Sequence, residues 1–72
     1  MALADNLTKL RKQKGLTQEA VAESAGVTKQ AVNKYERGKM IPNGIVLVDI
    51  ADKLGTTCEY LVKGKTKTRK EK

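Results

Sequence analysis

The stretch "GLTQEAVAESAGVTKQAVNKYERGK", residues 15–39, decides how this chain folds. Thr17 and Thr28 are natural N-caps, because each hydroxyl can accept a hydrogen bond from a free amide of a first helical turn. Glu19 sits favourably near the positive end of the helix dipole. The pattern predicts one helix over 18–25, with Val21, Ala22 and Ala25 as its apolar row, and a stop at Gly26. Val27 plugs the core, and a second helix runs from Lys29 to about Arg37, ended by Gly38. At about 100° per residue, Ala31, Val32 and Tyr35 fall on one side of that helix, while Lys29, Gln30, Asn33 and Arg37 form the opposite stripe. Lys34 edges the stripe, and Glu36 lies on the flank close to Val32. The result is two short helices joined by a turn of three or four residues. Alone, the polar side of the second helix is compatible with ordinary solvated surface.

Working outward, Leu3, Leu7 and Leu10 recur at helical spacing, and "TKLRKQK" is rich in helix formers, so a first helix should end before Gly15. Arg11 continues the Leu3 to Leu7 row by four more residues and therefore points partly inward. Beyond Lys39, "KMIPNG" reads as a loop, since Pro42 disfavours helix at Ile41 and Asn43 with Gly44 is turn chemistry. A fourth helix follows through "IVLVDIADKL", with Leu47, Ile50, Ala51 and Leu54 as its stripe and Gly55 as its stop. Thr57 caps a short fifth helix, "CEYLVK", ended by Gly64. The expected fold class is all-α, one compact five-helix domain over residues 1–64. Residues 65–72 form a basic tail with no apolar residue to fold on, expected to be disordered.

A core built from 72 residues buries only about 60% of the surface its unfolded chain exposes. Domains of this size often rely on disulfides, metal or self-association. With one cysteine, Cys58, and no histidine, neither an intrachain disulfide nor a zinc site is expected. Cys58 reads as a small buried hydrophobe. The start "MALADNLTKL" lacks the pattern of a signal peptide, and no apolar run approaches the roughly 20 residues of a membrane span. A cytoplasmic protein without cofactor, metal or small-molecule ligand is expected. Catalysis has no foothold, because there is no glycine-rich phosphate loop and the carboxylates are scattered over different helices.

The net charge of +7 is unevenly spread. Residues 1–14 and 28–39 each carry a net +3, residues 15–27 and 40–62 each a net −2, and residues 63–72 a net +5. Within the folded part, positive charge is thus confined to two segments, which suggests one basic face turned toward a polyanion.

Residues 7–64 resemble the lambda-repressor/Cro-type, XRE-like helix-turn-helix family. The resemblance is carried by the basic first helix, "GLTQ", "AGVT", "ERGK", the proline after it, and "KLG". Two departures are Gly44-Ile45-Val46, where polar helix-start residues are commoner, and Cys58, where an aliphatic residue is common. The resemblance implies a sequence-specific double-stranded DNA-binding regulator, a small phage- or prophage-type repressor, with the helix at 29–37 in the major groove. Lys29, Gln30 and Asn33 are then the candidates for base contacts, with Lys34 reaching a base or a phosphate. Thr17, Gln18, Thr28, Arg37 and Lys39 are the candidates for phosphate. The inward positions of Arg11 and Glu36 suggest that they pair, and the resemblance implies the same internal ion pair. Ile45, Val46 and Val48, with Tyr60 and Val62, are candidates for a homodimer interface that spaces two recognition helices along an inverted-repeat operator. Alternatively Ile45 folds back under the loop after Pro42. The competing function is a protein-interaction module or antitoxin on the same fold.

Overall fold

A computed structural model describes residues 3–64 and shows five α-helices in chain order: α1 (Leu3–Gln13), α2 (Gln18–Ala25), α3 (Lys29–Glu36), α4 (Gly44–Leu54) and α5 (Cys58–Lys63). The expected tail at 65–72 lies outside the described residues, among which there is no strand.

Each helix begins and ends for a local reason. Thr17, Thr28, Asn43 and Thr57 hold extended backbone and accept a first-turn amide at Ala20, Ala31, Val46 and Tyr60 respectively. Such a cap satisfies one of the four amides that a helix start leaves unpaired. α1 has Asp5 in its first turn and Arg11 and Lys12 in its last, matching the helix dipole at both ends. Gly26 ends α2 at φ +69. Its amide bonds to Glu23 at 3.3 Å and the Val27 amide bonds to Ala22 at 3.0 Å, so two otherwise unpaired carbonyls are satisfied. A Cβ at Gly26 would meet nothing within 4 Å. Glycine is therefore favoured there by backbone conformation and not by crowding.

Every helix contributes to one core, made of Leu3, Leu7, Val21, Ala22, Ala25, Val32, Tyr35, Ile50, Ala51, Leu54 and Leu61. Leu7, Val21, Val32, Ile50, Leu54 and Leu61 are fully enclosed, and each such side chain contributes about 1.5–3 kcal/mol of transfer free energy. α1 packs against α3 and α5, α2 against α3 and α4, and α4 against α5. Asn6 of α1 donates to the carbonyl of Leu61 at 3.0 Å, tying α5 to the first helix.

The structure refines three details. Asn43 is the cap of α4, and its turn chemistry is that of a helix start. Arg37 is the C-cap of α3 and not a residue within it. Ile45 stands 78% exposed instead of folding under the loop; the buried residue of that connection is Pro42.

Candidate nucleic-acid interface

α3 is held from one side only. Val32 and Tyr35 are buried in the core, while Lys29, Gln30, Lys34, Arg37 and Lys39 are exposed and Asn33 is half-buried. The exposed set is polar or cationic without exception. Because α3 is short, its presentation depends on what fixes its two ends. At its start, the turn through Gly26 and Val27 joins it to α2, and the Thr28 hydroxyl accepts from the Ala31 amide at 3.1 Å.

At its end, Glu36 is drawn inward. Its carboxylate accepts from Arg11 Nε at 2.6 Å and from Arg11 Nη2 at 3.1 Å, a two-point contact with matched geometry. The side chains of Arg11 and Glu36 are only 12% and 6% exposed. Arg11 Nη1 also donates to the Leu16 carbonyl at 2.8 Å, anchoring the loop between α1 and α2. Gln18 Nε2 donates to Glu36 Oε1 at 3.0 Å. Glu36 thereby joins α1, α2 and α3, and its negative charge is turned away from the exposed cations of its own helix.

Beside this network an open groove of about 390 Å³ is lined by Arg11, Thr17, Gln18, Glu19 and Lys29. Lys29, the Thr17 hydroxyl and the start of α2 meet there, beside an Arg11 already paired with Glu36. That hydroxyl accepts the Ala20 amide at 3.0 Å and keeps its own proton to donate outward. Such a set suits an oxyanion, with Glu19 as the one opposing charge on its rim. Sequence reading placed Arg11 in the ion pair alone; its place on this groove depends on how α1 meets α2, which helical spacing does not report.

Elsewhere four large apolar side chains are exposed. Ile41, Val48 and Met40 are 65%, 48% and 41% exposed, less than Ile45. Val46 instead packs partly against the core, and Tyr60 and Val62 are half-buried. Met40 and Ile41 also line a cavity of about 120 Å³ with Leu3, Ala4, Tyr35 and Gly38. Flanking Pro42 in a loop, these two residues give no periodic signal. Among the described residues no group of acidic, cysteine or histidine side chains could hold a metal ion. No helix is long and apolar enough to cross a membrane.

Residues 7–61 match the model of the helix-turn-helix family. The chain belongs to this family. Among relatives of this helix-turn-helix domain, it is 40% identical over 63 residues to the HTH-type transcriptional regulator YqaE of Bacillus subtilis, covering 88% of this chain and 54% of the relative. It is 37% identical over 60 residues to the SPbeta prophage-derived HTH-type transcriptional regulator YonR of the same organism, covering 83% and 56%. The chain thus spans a little over half the length of these relatives. Among solved structures, the P22 c2 repressor in complex with a synthetic operator superposes with a TM-score of 0.86 at 28% identity, over 90% of this chain and 98% of that one. The helix-turn-helix here is α2, the turn through Gly26 and α3, within a five-helix lambda-repressor-like domain.

Proposed function

We propose that this chain is a sequence-specific double-stranded DNA-binding transcriptional regulator of the phage-repressor kind. It works inside the cell, without catalysis, by setting α3 into the major groove. The observation that carries this is the one-sided burial of α3: Val32 and Tyr35 are enclosed, and the opposite face exposes Lys29, Gln30 and Lys34, with Asn33 half-buried among them and Arg37 exposed at the C-cap. A major groove about 12 Å wide admits one helix held in this manner. The operator bound by the P22 c2 repressor supports the same docking.

Roles follow from reach and chemistry. Lys29 and Gln30, at the start of α3, approach base edges, and Asn33 lies one turn further along. Lysine suits guanine O6 and N7, and glutamine or asparagine suits adenine N6 and N7, each good contact giving about 1–3 kcal/mol of discrimination. Lys34 reaches a base or the backbone. Thr17, Thr28, Arg37 and Lys39 hold phosphates and fix register, joined by the α2 amides over the groove that Arg11 and Lys29 line.

The working unit is a homodimer on an inverted-repeat operator. Ile45 and Val48 lead the contact, because they are the exposed members of the α4 set. Ile41 and Met40 extend the patch, and Tyr60, Val62 and Val46 contribute at most their half-exposed edges. A second function, binding another protein as an interaction module or antitoxin, is favoured by the same patch, which is more apolar surface than DNA contact requires.

Selecting bound duplexes from a random pool tests the proposal. Enrichment of a consensus with inverted half-sites about one helical turn apart is the expected result. Isolated half-sites would remove the two-fold arrangement, and absence of enrichment would favour the protein-binding alternative.

A further inference from the structure

We propose that the cavity between the start of α1 and the end of α3 is a binding site for a small neutral ring compound bearing one hydrogen-bonding oxygen, the chemistry of a simple phenol. This goes beyond the DNA-binding reading and does not depend on it. The cavity holds about 120 Å³ and is lined by Leu3 and Ala4 of α1, Tyr35 of α3, Gly38, and Met40 and Ile41 of the loop before α4. Tyr35 is 5% exposed. Among the described residues its hydroxyl has no hydrogen-bond partner. A buried hydroxyl is ordinarily satisfied, because leaving it unpaired forfeits the hydrogen bonds it makes in water.

The lining decides the chemistry of the ligand. None of its side chains is charged, so an ion would lose its hydration without gaining a counter-charge. The Tyr35 hydroxyl is the one strong hydrogen-bonding group among them, able both to donate and to accept. An ordered water needs about two to four polar partners, more than these side chains supply. A ring with one oxygen matches both features, its body against Leu3, Ala4, Met40 and Ile41 and its oxygen on Tyr35. Gly38 adds only backbone to the wall, and a Cβ there would meet nothing within 4 Å. The mouth is formed by Met40 and Ile41, 41% and 65% exposed, and an unbranched methionine repacks readily on what it meets.

Size sets the class of occupant. An apolar cavity of about 150 Å³ takes a benzene-sized molecule, whereas pockets for drug-sized ligands run from about 300 Å³ upward. At about 120 Å³, the site takes one ring and has no room for a nucleotide or a large cofactor. A molecule so small binds with a dissociation constant on the order of 1 mM. Helical spacing assigns Tyr35 to the core and leaves Met40 and Ile41 in a loop, so nothing in the sequence marks the site.

The test titrates phenol and toluene, alike in shape and different in the oxygen, into wild type and Tyr35→Phe, followed by amide NMR spectra. In wild type, phenol should give saturable shifts at Leu3, Ala4, Tyr35, Gly38 and Ile41, with a dissociation constant on the order of 1 mM. Tyr35→Phe should weaken phenol about fivefold and leave toluene unchanged. Ala4→Leu, which fills the cavity, should abolish the shifts with both probes. Because the lost hydroxyl has no partner among the described residues, unliganded Tyr35→Phe should keep the wild-type thermal midpoint. A large fall in that midpoint would show the hydroxyl engaged inside the protein and overturn the inference. Absence of saturation overturns it too, as do equal effects of Tyr35→Phe on the two probes. Shifts centred on Ile45 and Val48 would place binding on the exposed patch and have the same force. Should Ala4→Leu not fold, the location of the wild-type shifts decides. Enrichment of a duplex without phenol binding removes this site alone and leaves DNA recognition standing.

Discussion

Glu36 is the one acidic residue between Thr28 and Lys39, in a segment whose other charges all favour a polyanion. An exposed carboxylate there would repel the ligand. Burial beside Arg11 removes the conflict, and the cost of burial is offset by three hydrogen bonds to the carboxylate. A buried pair of this kind is sensitive to loss of one partner, because the survivor is left charged and poorly solvated. Glu36→Gln keeps the shape and removes the charge, so it should destabilise the domain by about 2–3 kcal/mol. For a chain this short that is a fall of roughly 10–20 °C in the thermal midpoint. A midpoint equal to wild type in a calorimetric scan would contradict the stabilising role. The sequence did show that Arg11 and Glu36 sit on inward-facing edges of their helices. It did not show Gln18, because a contact between the first residue of one helix and the last of another depends on the angle at which the helices cross.

At the scale of the element, the helix boundaries were legible to a large extent because these helices are short and capped by side chains with local chemistry. Thr17, Thr28 and Thr57 each precede helix-forming residues, and each accepts the amide three residues on. Asn43 was legible only as a turn residue, since Asn-Gly is a strong turn signal by itself. In the fold, Asn43 Oδ1 accepts from the Val46 amide at 2.9 Å and starts α4 with Gly44 inside the helix. Asn43→Ala should therefore cost about 1 kcal/mol, or about 4–8 °C in midpoint, whereas Asn43→Ser should remain close to wild type. Equal midpoints for the alanine and serine variants would mean that the cap contributes nothing. Val46, whose amide the cap engages, packs partly against the core, whereas Ile45 and Val48 are exposed. Periodicity alone could not make that division, because four consecutive apolar residues, Ile45 to Val48, fit several rotations of one helix.

For the whole molecule, the two basic segments were visible in the sequence, but their meeting was not. α1 packs on α3, and Arg11 from the first segment and Lys29 from the second line one groove. Of the exposed apolar residues, Ile45 and Val48 were legible on α4, and Met40 and Ile41 are the larger omission. Both lie in the loop between α3 and α4, where hydrophobic residues carry no period to be read against. The central claim is that α3 divides its work between bases and backbone. It is tested most directly by titrating Gln30→Ala and Lys39→Ala against the selected duplex and a scrambled one over a range of salt. Gln30→Ala should lose about 1–3 kcal/mol on the selected duplex only. Lys39→Ala should weaken both about equally and reduce the salt slope by about one. Equal loss on both duplexes for Gln30→Ala would contradict base reading by α3.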